Sequence, residues 1–150
     1  KTRAQAVQDL LPALKLKGNA AAGQVIYTQR CALCHRAGKA GYVLGPDLVS
    51  VKANGPEKLL ASIVDPNREV AANYVAYDVA LRDGGTQTGV IGDETLTHVR
   101  IKLPLGKELL LPRTQVKGMR SGGKSIMPEG LEAGLSPQQM ADLLAFIAGL

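Results

Sequence analysis

Apolar residues recur with helical spacing at both ends of this chain and alternate in its middle. From about Ala4 to Leu16, apolar positions at Ala6, Val7, Leu10, Leu11 and Leu14 predict a helix. Pro12 falls inside that run and predicts a kink or two short helices. Gly18-Asn19 breaks the pattern, and a second helix is predicted from about Ala20 to Arg30. A glycine-rich loop follows, through Gly38, Gly41 and Gly45-Pro46-Asp47-Leu48. Pro56-Glu57-Lys58 reads as the first turn of a helix reaching Val64, with Leu59, Leu60 and Ile63 as its buried stripe. Asp65-Pro66-Asn67 ends it.

The period then changes. Tyr74 to Leu81 is β-prone, and Arg82-Asp83-Gly84-Gly85 predicts a hairpin turn with Thr86 to Ile91 returning antiparallel. Thr95 to Ile101 alternates, Pro104-Leu105-Gly106-Lys107 is a second turn, and Glu108 to Leu111 with Thr114 to Lys117 completes a small meander. About 45 consecutive residues are therefore strand-like between helical ends. Ser136-Pro137-Gln138-Gln139 supplies an N-cap, a proline at the first helical position and a glutamine three residues after the cap. Met140, Leu143, Leu144 and Ile147 form the apolar face of a last helix ending near Ala148.

The chemistry lies between the second helix and the glycine-rich loop. Cys31-Ala32-Leu33-Cys34-His35 is a C-x-x-C-H run, the pattern that attaches a c-type haem. On one helical turn, residues at i, i+3 and i+4 share a face. Cys31 and Cys34 could thus add to the haem vinyl groups while His35 ligates iron. Zinc and a thioredoxin-like redox pair are the competing uses. Zinc wants four ligands, but the chain has two cysteines and two histidines in all, His98 being the second histidine. The redox reading leaves His35 without a role and wants a strand–turn–helix around the cysteines, where helix is predicted.

Composition fits one haem-bearing domain. The 150 residues are 45% hydrophobic, yet include one Phe, four Tyr and no Trp, so a buried haem would supply the large flat volume that the side chains lack. The net charge of +5 comes from scattered cations such as Lys15, Lys39, Lys52 and Lys117, with no dense basic run. Nucleic acid is therefore not an expected partner; a solvated surface that steers acidic proteins is. No segment is long enough to span a membrane. Haem attachment at C-x-x-C-H implies export in bacteria, to the periplasm or another extracytoplasmic space. The chain shows no leader, which suggests a fragment or processed part of a longer exported protein.

A second axial ligand must come from Met119, Met127, Met140 or His98. Met140 falls on a core-facing helix face, where methionine is usually filler. Met127 sits in a loop with Pro128 ahead of the last helix and is the preferred candidate, with Met119 and His98 behind it. Arg68, Arg113 and Arg120 are candidates to pair with propionates or to be ordinary surface arginines.

Cys31 to His35, Gly45-Pro46-Asp47-Leu48 and a methionine–proline loop before a C-terminal amphipathic helix together resemble class I cytochrome c. The resemblance covers both ends of the chain. It implies that Pro46 offers its carbonyl to the His35 imidazole and that iron is held by His35 and Met127. Ile63-Val64-Asp65-Pro66-Asn67-Arg68, Tyr74-x-x-Tyr77, Asp83-Gly84 and Ser125 to Leu131 are further similar to a haem-binding domain of planctomycetes and verrucomicrobia, often found at the C-terminus of large secreted proteins. The implied fold is mainly α: a class I cytochrome c helical core with a small antiparallel β meander inserted at about 74–118, in a single mono-haem domain over 1–150. The implied function is one-electron transfer through a low-spin haem to a redox protein or a fused dehydrogenase domain, with no catalysis of its own. A haem-based sensor or weak peroxidase with a labile methionine is the alternative.

Overall fold

The computed structural model describes all 150 residues. Helix α1 (Arg3–Leu10) opens with a reciprocal cap between Thr2 and Gln5, and the chain tightens at Pro12 into a 3-10 turn over Leu11–Lys15. Helix α2 (Ala20–Arg30) is capped by Asn19, whose side chain accepts from the Ala22 amide at 3.0 Å. A short helix α3 (Leu48–Val51), which no periodic pattern announced, precedes α4 (Pro56–Val64). Helix α5 (Pro137–Ala148) carries the expected capping box: Gln139 N–H donates to Ser136 Oγ at 3.2 Å, and Ser136 N–H to Gln139 Oε1 at 2.9 Å.

The helices pack around one core in which Leu60, Val64, Met140 and Leu143 are the most deeply buried. Its tightest contact is between α2 and α5. An added Cβ at Gly23 would lie 1.9 Å from the Asp142 carbonyl oxygen, so only glycine permits this crossing. Asp142, buried on α5, accepts from the Asn19 amide at 2.8 Å and from Gln138 Nε2 at 3.0 Å, which fixes the start of α2 against the last helix. Arg3 pairs with the buried Glu132 at 2.7 Å and donates to the Val64 carbonyl, joining the first helix to the far end of the chain.

The strands require a correction to the mainly α fold with a small meander at about 74–118. Helix makes up 41% and strand 25% of the chain, and the sheet has five antiparallel strands, so the fold is mixed α and β. Strands β1 (Val75–Leu81), β2 (Thr86–Glu94), β3 (His98–Lys102) and β4 (Glu108–Pro112) follow one another, and β5 (Val116–Ser125) returns to pair with β1. The strand order is β4-β3-β2-β1-β5. The sheet also has a core of its own, in which Val79, Val99 and Ile101 are fully buried beneath Leu81, Ile91, Leu109, Leu111 and Val116. Alternation along β1 and β3 sends these residues to one side, and the pairing of β2 with β3 shifts register between Ile91 and Glu94. Val75 at its start is the register partner of Ser125 at its end, so the chain leaves and rejoins the helical body at neighbouring points.

Candidate functional site

Helix α2 stops at Arg30, and Cys31 to His35 form one further turn. Cys34 and His35 amides both donate to the Cys31 carbonyl, at 3.1 and 2.9 Å. The other carbonyls of this turn are held from outside it. Ala32 accepts from Tyr42, Leu33 from Leu105, and Cys34 from both Leu44 and Gly45, with distances between 2.8 and 3.0 Å. The His35 carbonyl accepts the Tyr27 hydroxyl at 2.7 Å. Tyr27 is itself 2% exposed, with its ring 5.2 Å from that of Phe146 on α5. With every carbonyl satisfied, the turn is fixed by the glycine-rich loop, by α2 and by the sheet together.

His35 Nδ1 lies 2.6 Å from the Pro46 carbonyl oxygen. A carbonyl only accepts, so Nδ1 carries the proton and Nε2 keeps its lone pair. Burial pushes the His35 pKa below 6.5, opposed by the Pro46 carbonyl and the Asp47 charge. The imidazole is therefore neutral at pH 7, with one nitrogen ready to bind a metal. Gly45 lies flat against the ring; a Cβ there would come 2.5 Å from Cε1. Cys31 and Cys34 are free thiols, half-buried, and burial raises the pKa of both, that of Cys31 to about 11. Such thiols are poor thiolates, unlike those of a redox pair. Nor do three or more His, Cys, Asp or Glu side chains gather in a way that could hold a zinc ion.

The cytochrome c family model matches residues 20–102, more than half of the chain, from the start of α2 to the end of β3. The chain belongs to the cytochrome c family. No curated protein matches it. Membership implies a covalently bound haem c with its iron, and haem-based electron transfer with a redox partner. Domains of this family are typically extracytoplasmic in bacteria, and no helix here is long and apolar enough to cross a membrane. The donor set fits such a group, since two free thiols and a neutral histidine with a free Nε2 lie on one turn.

The cytochrome's three methionines occupy different settings. Met140 is fully buried in the helical core, and Met119 is 37% exposed on β5 opposite Val79. Met127 is half-buried in the loop after β5, and that loop is pinned from several sides. Its amide donates to Ser125 Oγ at 3.1 Å, the Ile126 amide to the Tyr74 carbonyl at 2.8 Å, and the Ser125 amide to Asn67 Oδ1 at 2.8 Å. Asn67 Nδ2 also reaches Glu129 at 2.9 Å. Beyond the loop, Arg30 at the end of α2 donates to the carbonyls of Leu131 and Ala133 at 2.8 and 2.7 Å. His98 sits on β3 with Nδ1 2.9 Å from Thr97 Oγ1. Arg113 is engaged with Glu94 and the Thr95 carbonyl, while Arg68 and Arg120 are exposed.

Tyr27 and Leu105 hold the Cys31-to-His35 turn, and Asn67 and Arg30 hold the segment around Met127; the sequence alone assigned none of them that part. Tyr27 had a signal. Gly23, Tyr27 and Arg30 recur at i, i+4 and i+7 along one face of α2, and a tyrosine buried there needs a partner for its hydroxyl. Leu105 had none, because a turn in a distant hairpin says nothing about what it touches.

Proposed function

We propose that this chain is an extracytoplasmic one-electron carrier with a single haem c, attached through Cys31 and Cys34 and ligated by His35 and Met127. The observation that carries this reading is the 2.6 Å contact from His35 Nδ1 to the Pro46 carbonyl, which leaves Nε2 as the ring's donor. The haem supplies a one-electron iron couple. Pro46 orients the imidazole and raises its basicity as a ligand. Ser125, Asn67 and Tyr74 hold the backbone around Met127, and a methionine so held would serve as a steady second ligand, which favours electron transfer over sensing or peroxidase chemistry. The same contacts join the Asp65-Pro66-Asn67 and Ser125 to Leu131 segments, in support of the planctomycete-type domain. In this reading the sheet is an insertion within one domain, and the electron goes to a separate redox protein or a fused dehydrogenase.

The test is the purified protein's mass and spectrum. Acid extraction leaves the haem on the polypeptide, with the mass of one haem added. Met127→Ala converts a low-spin spectrum to a high-spin or water-bound one, lowers the potential and admits carbon monoxide, whereas Met119→Ala and His98→Ala leave the spectrum unchanged. Extractable haem refutes the attachment, and an unaltered spectrum in Met127→Ala refutes the ligand. Carbon monoxide binding to the parent protein would favour the sensor reading.

A further inference from the structure

A cavity of about 280 Å³ lies where the loop after His35 meets the sheet. Arg36, Gly41 and Tyr42 line it from the loop, and Lys102, Gly106 and Glu108 from the β3–β4 hairpin. Its charges are unbalanced. Glu108 already accepts from Arg100 at 3.0 Å. Neither Arg36 nor Lys102 is paired with a carboxylate, the ion pairs of the chain being those of Lys1, Arg3, Arg100 and Arg113. Arg36 Nη2 reaches only the Gly38 carbonyl, at 3.3 Å, and its Nε is buried with no hydrogen-bond partner. A buried N–H on a cation is costly to leave without an acceptor.

We propose that this cavity binds a small oxyanion, a phosphate or a short carboxylate, between Arg36 and Lys102. The guanidinium fork suits the paired oxygens of such an ion, and the lysine adds a point charge from the opposite wall. The site bridges the two halves of the molecule, so a bound ion also ties the sheet to the loop. Arg36 follows His35 directly. Resting on the haem reading above, an anion here favours the oxidised state, and by linkage the oxidised protein binds it more tightly.

Isothermal titration of the haem-loaded protein with inorganic phosphate, at fixed ionic strength, tests the site. The expected result is one saturable site, weakened about tenfold or more by Arg36→Gln and by Lys102→Gln, and unchanged by Lys58→Gln on α4. No saturable binding, or binding indifferent to both variants, overturns the proposal. Absent phosphate binding together with a shifted potential in Arg36→Gln would assign the arginine to a haem propionate, and also overturns it. The midpoint potential measured with and without phosphate reads the coupling separately. Saturable binding that leaves the potential unmoved upholds the site and refutes only its link to the haem.

Discussion

The Leu105 amide donates to the Leu33 carbonyl at 2.9 Å, and Leu105 makes this contact at φ 64°, the only non-glycine residue of the chain in the left-handed region. A β-sheet turn thus bonds directly to the middle of the Cys31-to-His35 turn, from a backbone conformation that costs a leucine about 1–2 kcal/mol. Leu105→Pro removes the amide and forbids the conformation, and should destabilise the protein by about 2 kcal/mol or more. Leu105→Gly keeps the amide and relieves the left-handed cost, but adds chain flexibility worth about 0.5–1 kcal/mol. It should stay within about 1 kcal/mol of the parent. Urea unfolding of both variants checks the contrast.

Gly23→Ala should be far more harmful than its helix propensity suggests. Alanine gains about 1 kcal/mol over glycine inside a helix. Here the new Cβ would lie 1.9 Å from the Asp142 carbonyl oxygen and 2.9 Å from the Phe146 Cβ, so α2 and α5 must separate. A net loss of about 3 kcal/mol is expected. Thermal unfolding measures it, and a neutral result would mean the crossing is looser than described.

Gly45→Ala probes the imidazole itself. The added carbon would displace the ring and lengthen the Nδ1–H bond to Pro46. With His35 as the proposed iron ligand, weakening that bond lowers its basicity and disfavours ferric iron. The midpoint potential should therefore rise, alongside a stability loss of about 1–3 kcal/mol. Redox titration with unfolding separates the two effects.

In the haem-free chain, burial holds the His35 pKa below 6.5. The unfolded chain therefore takes up a proton that the folded chain refuses as pH falls. This contribution to stability is complete above pH 6.5 and is lost progressively as pH falls through the depressed folded value. Urea midpoints between pH 8 and 5 should show that decline, and His35→Gln should flatten it. An unchanged slope in the variant would place the acid sensitivity elsewhere.

The turn from Cys31 to His35 stood out because its residue types keep a fixed spacing, and the start of α5 was legible because a cap is local. Ser136 and Gln139 lie three residues apart, within reach of pattern reading, whereas the Thr2–Gln5 cap of the same form went unread ahead of a helix placed from Ala4. Strand β5 was not legible beyond Lys117. Its run of Gly118, Met119, Arg120, Ser121, Gly122, Gly123 and Lys124 is exposed throughout and does not alternate. It is a strand because β1 offers it a ladder, which is a long-range fact. The extent of the sheet's own core escaped for the same reason, since Val79, Val99 and Ile101 meet only once the strands are in register. The Met127 loop showed its proline, but its supports Asn67 and Tyr74 come from more than fifty residues upstream.

The pairing of Val75 with Ser125 has a consequence for the order in which this chain folds. The contacts between α2 and α5 join segments more than a hundred residues apart, such as Asn19 with Asp142. Closing so long a loop is entropically expensive and slow. Once the sheet has zipped, its two ends are neighbours, and the residues between them no longer count as slack. The effective loop between the helices shrinks by about the length of the sheet. Strand pairing ahead of helix docking would then set the pace of assembly.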